Sequence, residues 1–394
     1  MRNAVCRERP LSESFAPRIP TPLEKTPLDA LHRRLGARMA PFAGYELPLH
    51  YPSGVVAEHL HTRDKASLFD VSHMGQAILS GRGAAEKIEA LVPADVRDLA
   101  PERTRYSQLL AEDGGVFDDL MITRLPGRDE RLLLVVNAAA KRQDFDFLRQ
   151  ELPELGLAVL AGRALIALQG LRAAAAIATL LPNVVELPFM AWRAAEFRGA
   201  GLFVSRSGYT GEDGFEISVP DHLAEPFAEA LLAHPDVAPA GLAARDSLRL
   251  EAGFCLYGHD LDVTTDPVEA GLARSIGKRR REQGGFPGYE RIRAALIEGP
   301  ARKRVGLLPR GRAPLREGAT LAAPDGRIVG RLTSGGYSPT LSRPIAMGYV
   351  ETPFATPGVM LESRLRGNLV AVEVTSLPFV PHRYFRGPAG KDRS

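Results

Sequence analysis

The sequence predicts an α+β protein that ends in a separate, all-β domain. Up to about residue 285, strand-like and helix-like stretches are interspersed without a regular strand–helix–strand rhythm, which disfavours a doubly wound parallel sheet. Beyond Gly299-Pro300 the chain breaks into short apolar runs at residues 305–308, 328–332, 345–350, 359–361 and 369–374. Gly and Pro punctuate them, as in a small barrel or sandwich. The expected organisation is a disordered lead-in over 1–25, two interleaved α+β subdomains over 26–285, a linker over 286–302 and a β domain over 303–388.

Residues 1–25 contain Pro10, Pro17, Pro20 and Pro22 and no hydrophobic period, hence the lead-in. Thr26-Pro27-Leu28-Asp29 offers an N-cap hydroxyl, a proline at the first helical position and an acid. Leu28, Leu31 and Leu35 then share one helical face, with Gly36 as the stop. Residues 106–110 and 116–123 flank Asp113-Gly114-Gly115 and read as a hairpin. Strands are expected at 131–137, 164–168, 201–206 and 215–219. Helices are expected at 84–91, 138–152, 173–180, 223–233 and 241–252.

The chain has 394 residues, is 45% hydrophobic and carries a formal charge of +3, so nothing points to a nucleic-acid partner. No stretch reaches the roughly 18 apolar residues of a membrane span. The cysteines, Cys6 and Cys255, give no disulfide framework or C-x-x-C pair. A P-loop is absent, and Gly208-Tyr209-Thr210-Gly211-Glu212-Asp213-Gly214 has the wrong spacing for a dinucleotide turn, so neither flavin nor nicotinamide is expected.

Asp118-Asp119 interrupts an apolar strand. Val116, Asp118, Leu120 and Ile122 share one face, while Phe117, Asp119, Met121 and Thr123 share the other, so the two acids are not expected to act as a pair. At least one should lie among apolar neighbours, where an ionised carboxylate needs a partner; an exposed edge strand is the bland alternative. Glu216 alternates with apolar residues and reads as the polar face of its strand. Arg245 either grips a carboxylate or belongs to a charged surface decorated by pairs such as Asp246–Arg249. Lys278-Arg279-Arg280-Arg281 is either a solvated run or a patch that steers an acidic partner. His59 and His61, near Glu58 and Asp64, lack a second ligand cluster, so no metal is expected.

Read in order, several segments resemble the glycine cleavage T-protein family of aminomethyltransferases, in wording closest to its mitochondrial-type branch. They run from about Thr26 to Arg386. They include Phe42-Ala43-Gly44, Leu68-Phe69-Asp70-Val71-Ser72-His73-Met74, the stretch around Asp118-Asp119, and Val136-Asn137-Ala138. Ala167-Leu168-Gln169-Gly170, the run 208–216, the run 241–253, Gly277-Lys278-Arg279-Arg280-Arg281, Thr333-Ser334-Gly335 and Pro378-Phe379-Val380-Pro381 complete the series.

The resemblance implies a cloverleaf of three domains, the last a β-barrel, around a channel that holds folate. It implies transfer of a one-carbon unit from the aminomethyl-lipoyl arm of an H protein to tetrahydrofolate, with release of ammonia. By the same resemblance Asp119 is catalytic, Glu216, Arg245 and Tyr384 contact folate, and Asn137, Met74 and Tyr209 lie near the pterin. The H protein is the implied partner of the basic run. Tyr45 stands where the family commonly has tryptophan.

Two related readings compete. A demethylase-type folate module normally shares its chain with a flavin domain. A folate-binding assembly factor carries a cysteine motif where this chain has Ser207-Gly208-Tyr209-Thr210-Gly211-Glu212. Glu8, Glu13 and Glu24 argue against a transit peptide, so a bacterial cytoplasmic location is expected, with the mitochondrial matrix as the alternative.

Overall fold

The computed structural model describes residues 22–127, 130–365 and 367–387. Most of the lead-in therefore lies outside the described residues. Its end does not: Glu24–Lys25 forms a short strand paired with Tyr45 and Glu46. The first helix is Asp29–Arg34, and Thr26 is not its cap. The Thr26 hydroxyl donates to the buried Asp70 carboxylate instead, at 2.6 Å. A buried acceptor outweighs an exposed helix end.

Four sheets organise the described residues. Glu24–Lys25, Tyr45–His50 and Arg38–Phe42 make a small one. A six-stranded sheet runs Trp192–Phe197, Ala200–Ser205, Gly214–Pro220, Arg163–Gln169, Ala66–Asp70, Val237–Pro239. A five-stranded sheet runs Thr104–Leu110, Val116–Arg124, Arg131–Val136, Gly75–Ser80, Gly156–Val159. The tail closes a six-stranded barrel of Arg302–Pro309, Arg343–Glu351, Ile328–Ser338, Thr320–Ala322, Met360–Leu365 and Asn368–Thr375. Closure removes both sheet edges, the alternative to a sandwich. Mixed sheets and the interspersed helices bear out the α+β reading.

The strands Gly75–Ser80, Gly156–Val159 and Trp192–Phe197 were not legible as elements, because their residues alternate weakly and they complete sheets only through distant partners. The expected helix 84–91 is a short turn, Ala84–Lys87, continued by the 3-10 segment Ile88–Ala90. The helix expected from Ala138 begins at Lys141, after a turn at Asn137–Ala140.

Strand alternation decides what each sheet face covers. Leu68, Ile166, Leu168, Phe215, Ile217 and Val219 point to one core, packed by the helices Ala173–Ala178 and Asp221–Leu232. Phe69, Leu165 and Ala167 point the other way, toward Ala244 and Leu248 of the helix Leu242–Glu251. Glu216 lies directly opposite Ala167 in the sheet, so it shares that second face. On the five-stranded sheet, Leu120, Ile122, Leu134 and Val136 fill a separate core, leaving Asp119, Met121 and Val135 on the outer side. Met121, Val135, Leu165 and Glu216 line one hollow between the sheets. Asp119 and Glu216 therefore belong to two sheet faces turned toward each other.

Candidate active site

The Asp118-Asp119 pair sits beside an irregularity in its hairpin. Leu109 pairs with Asp118 but Leu110 pairs with Val116, which leaves Phe117 as the extra residue of a bulge. The alternation beyond it holds: Asp118 is fully buried on the core side and Asp119 is half-buried on the other. The two acids stay on opposite faces, as the alternation has it, but one residue bridges them. Asn137 Nδ2 donates to Asp118 Oδ1 at 2.9 Å and to Asp119 Oδ1 at 2.6 Å, and the Asn137 backbone N–H reaches Asp118 Oδ2 at 3.2 Å. One amide placed just past the strand Arg131–Val136 thus couples side chains on opposite faces.

The Tyr106 hydroxyl donates to Asp119 Oδ2 at 2.8 Å. Burial and the neighbouring Asp118 carboxylate push the Asp119 carboxyl up to about 7, against the smaller opposing pull of Tyr106 and Asn137. Asp119 is therefore poised to hold or release a proton near neutrality.

Glu216 accepts a hydrogen bond from the Ser207 hydroxyl at 2.6 Å. Trp192, Gln76, Ser205 and Ser207 line the same hollow. The Trp192 indole N–H and Gln76 Oε1 are buried without partners. Arg245 lies over the Tyr209 ring, 4.8 Å from its centroid, with one guanidinium nitrogen buried and unpartnered. Burial lowers its pKa, opposed chiefly by the Glu216 charge. That rules out the surface-decoration reading of Arg245; Asp246 pairs with Arg249 as that reading had it.

Tyr384 joins the group through aromatic contacts. Tyr209 stacks on Phe254 at 5.7 Å, Phe254 meets His382 at 5.0 Å, His382 meets Tyr384 at 5.2 Å, and Tyr384 stacks on Phe189 at 3.9 Å. The Tyr384 hydroxyl is buried and unpartnered. Met74 is one layer removed, packed against the core that includes Leu165 and Ala244, with Val135 beside it. The glycines of the 208–214 run serve packing: a Cβ on Gly208 would stand 1.8 Å from Gln169 Oε1. That explains glycine spacing that fits no dinucleotide.

His59 contacts Ser247 at 2.7 Å and Glu251 at 3.1 Å, and its role is a structural hydrogen-bond network. The basic run is not four free charges either. Arg279 is paired with Glu89 and Asp95 at 2.6 and 2.8 Å, and Arg280 is buried against the backbone of Glu89 and Gly285. Lys278 and Arg281 remain exposed. Tyr45 accepts a hydrogen bond from Lys141 at 2.6 Å. Tyr106, Ser207, Gln76 and Trp192 carried no sequence signal, since a hydroxyl or amide in a strand reads as a surface residue until the facing sheet is known.

The GCVT N-terminal domain model matches residues 28–280, and the glycine cleavage T-protein C-terminal barrel domain model matches residues 302–381. The chain belongs to the glycine cleavage T-protein family. It is 44% identical to the mitochondrial aminomethyltransferase of Gallus gallus, covering 98% of this chain and 99% of that one. It is 42% identical to the mitochondrial aminomethyltransferase of Homo sapiens, covering 92% and 91%. The crystal structure of glycine cleavage system aminomethyltransferase T from Bartonella henselae is similar with a TM-score of 0.88 at 44% identity, over 92% of this chain and 99% of that one. Family membership makes the chain a transferase of glycine catabolism.

The bacterial cytoplasmic expectation is overturned by relatives such as those of Gallus gallus and Homo sapiens, whose names place them in mitochondria. Counting Glu24 among leader acids misled it, because Glu24 is part of a folded strand. Residues 1–21 hold Arg2, Arg7, Arg9 and Arg18 against Glu8 and Glu13.

Proposed function

We propose that the protein transfers the one-carbon unit of an aminomethyl group, carried on the lipoyl arm of an H protein, to tetrahydrofolate. The products are ammonia, the reduced lipoyl arm and 5,10-methylenetetrahydrofolate. The observation that carries the reading is Asp119, a carboxyl raised to about 7 on a sheet face turned toward the one that carries Glu216.

The residues present fit a folate. A carboxylate such as Glu216 accepts two N–H donors side by side from the amidine-like edge of a pterin. Arg245 answers the acidic half of folate, and the Tyr209–Phe254 and Tyr384–Phe189 stacks offer flat faces. The buried Trp192 N–H and Gln76 Oε1 of the hollow are polar atoms whose partners a bound polar ring system supplies.

Asp119 takes the chemical role. In the net exchange two C–N bonds form to the folate amines, while one C–N and one C–S bond break. The two protons leaving the folate nitrogens end on ammonia and the thiol. Asp119 orients an amine and passes a proton between these partners, while its negative charge stabilises the electrophilic carbon between bonds. Tyr106 and Asn137 hold both its oxygens, so the carboxylate does not have to be ordered at the moment of reaction.

For the protein partner the reading narrows to Lys278 and Arg281, the exposed members of the basic run, of which Arg281 donates only to the backbone carbonyls of Ile276 and Ala273 and to no carboxylate among the described residues. An ammonia-release assay with aminomethyl-loaded H protein, with and without tetrahydrofolate, tests the whole. Strong acceleration by the folate is expected. Release that is slow and indifferent to it removes the reading.

A further inference from the structure

Behind the active carboxyl lies an acid with no assigned role. Asp144, on the helix Lys141–Glu151, is fully buried, and among the described residues no donor side chain or backbone amide reaches either of its oxygens. The helix packs through Phe145 and Leu148 on the core face of the five-stranded sheet, the face on which the Asp118 carboxyl group is also fully buried, and the two carboxyl groups influence each other's protonation.

Ionised carboxylates are acceptors only, and two of them in a dry site repel. A single proton between them converts that repulsion into an O–H···O⁻ bond, among the strong kinds. The donors decide which acid holds the proton. Asp118 receives two N–H bonds from Asn137, at 2.9 and 3.2 Å, which favour its ionised form. Asp144 receives none. We propose that Asp144 is a neutral carboxylic acid at rest, that its O–H donates to Asp118, and that through Asn137 it acts as a positioning residue for Asp119.

Burial and the Asp118 charge, which push Asp144 up to about 10, agree with this. The other ionisable groups around the three acids are Tyr106, on the neighbouring strand, and Tyr209, Cys255 and Tyr257. Burial, the largest influence on each, raises all four, the thiol to about 12, so they stay neutral. Arg249, beyond them, is paired with Asp260 at 2.8 Å. Proton, Asp118 charge and Asn137 amide therefore form one relay: Asp144 keeps Asp118 ionised, and ionised Asp118 both fixes Asn137 and lifts Asp119 toward neutrality.

The kinetic half rests on the reading of Asp119 given above; the protonation half does not. Infrared spectroscopy at mildly alkaline pH reads the protonation directly. Wild type minus Asp144→Asn should show one carboxylic-acid carbonyl band, and a spectrum without it overturns the proposal. For turnover, Asp144→Asn still offers an N–H donor to Asp118 and should keep kcat within about threefold.

Asp144→Leu offers none, so Asp118 takes up a proton and no longer repels the Asp119 charge. There kcat should fall about tenfold with KM little changed, and the acid limb of the pH profile should move roughly one unit lower. A folded Leu variant with an unmoved limb overturns the positioning role, as does an Asn variant no better than Leu. Normal turnover in Asp119→Asn removes Asp119 from the chemistry, whereas a missing band removes the Asp144 proton, so the two failures are distinguishable.

Discussion

Two groups of buried acids, alike in residue type, are held in opposite ways. Glu251 at the end of the helix Leu242–Glu251 accepts from the Ser338 hydroxyl and from the Thr340 backbone and hydroxyl, and meets Arg63 at 2.8 Å and His59 at 3.1 Å. Burial would raise it, yet the His59 ring and the two hydroxyls outweigh that and hold it at about 2. Asp119 is ringed by a phenol, an amide and another acid, and rises to about 7. Saturation with donors makes a carboxylate a fastening between elements. Scarcity of donors leaves its proton free to move.

The largest expected effect follows from that scarcity. Asp119→Asn keeps the shape and relieves a buried acid, so folding and folate affinity should hold while ammonia release slows about 10²- to 10⁴-fold. Near-normal turnover, measured with loaded H protein, would erase the distinction between the two groups. The mirror experiment is Glu251→Ala, which strands Arg63 and His59 in a buried network and should lower unfolding free energy by about 3–5 kcal/mol in a denaturant titration. A loss under 1 kcal/mol would show the network to be dispensable.

The same pair should respond to pH in separate windows. Glu251 has a depressed pKa, about 2 against its ordinary 4.5. Its contribution to stability is therefore complete above about pH 4.5 and is lost as pH falls toward 2. Asp119 has a raised one, and its useful form is the ionised one, so the rate should climb with pH through about 7, whereas its contribution to stability should fall as pH rises from its ordinary 3.8 toward 7 and level off above that. Coincident loss of rate and fold on acidification would mean that one network serves both.

How much of this was legible in sequence depended on what covers each face. Alternation placed Asp118 and Asp119 on opposite sides and Glu216 apart from Phe215 and Ile217, and all of that stands. It said nothing of Asn137, whose side chain spans both faces from the end of a neighbouring strand. Glu216 read as a solvated residue because the second sheet that faces it comes from a different part of the chain. Thr26 read as a helix cap because Asp70, its actual acceptor, lies 44 residues away. Local pattern reports direction along an element; the partner across a gap is a tertiary fact.

Arg245→Ala gives a more moderate test of the site. Its unpartnered guanidinium nitrogen should find an acceptor only when ligand binds, so truncation should weaken folate affinity roughly tenfold by calorimetry, with kcat nearly kept. An unchanged affinity would return Arg245 to a packing role over Tyr209.

The smallest effect is expected where charges are neither saturated nor buried. Within the basic run, Arg279 is already neutralised by Glu89 and Asp95, whereas Lys278 and Arg281 face solvent. If exposed cations steer an acidic partner, Lys278→Ala with Arg281→Ala should slow association with the lipoylated H protein by a few-fold at low ionic strength. The difference should vanish as salt screens charges beyond about 10 Å. Arg279→Ala should behave differently, costing stability through the loss of its bonds to Glu89 and Asp95 and leaving the salt dependence of association intact. Stopped-flow association measured against ionic strength separates the two classes. Equal salt slopes for wild type and the double variant would place the docking surface elsewhere on the molecule.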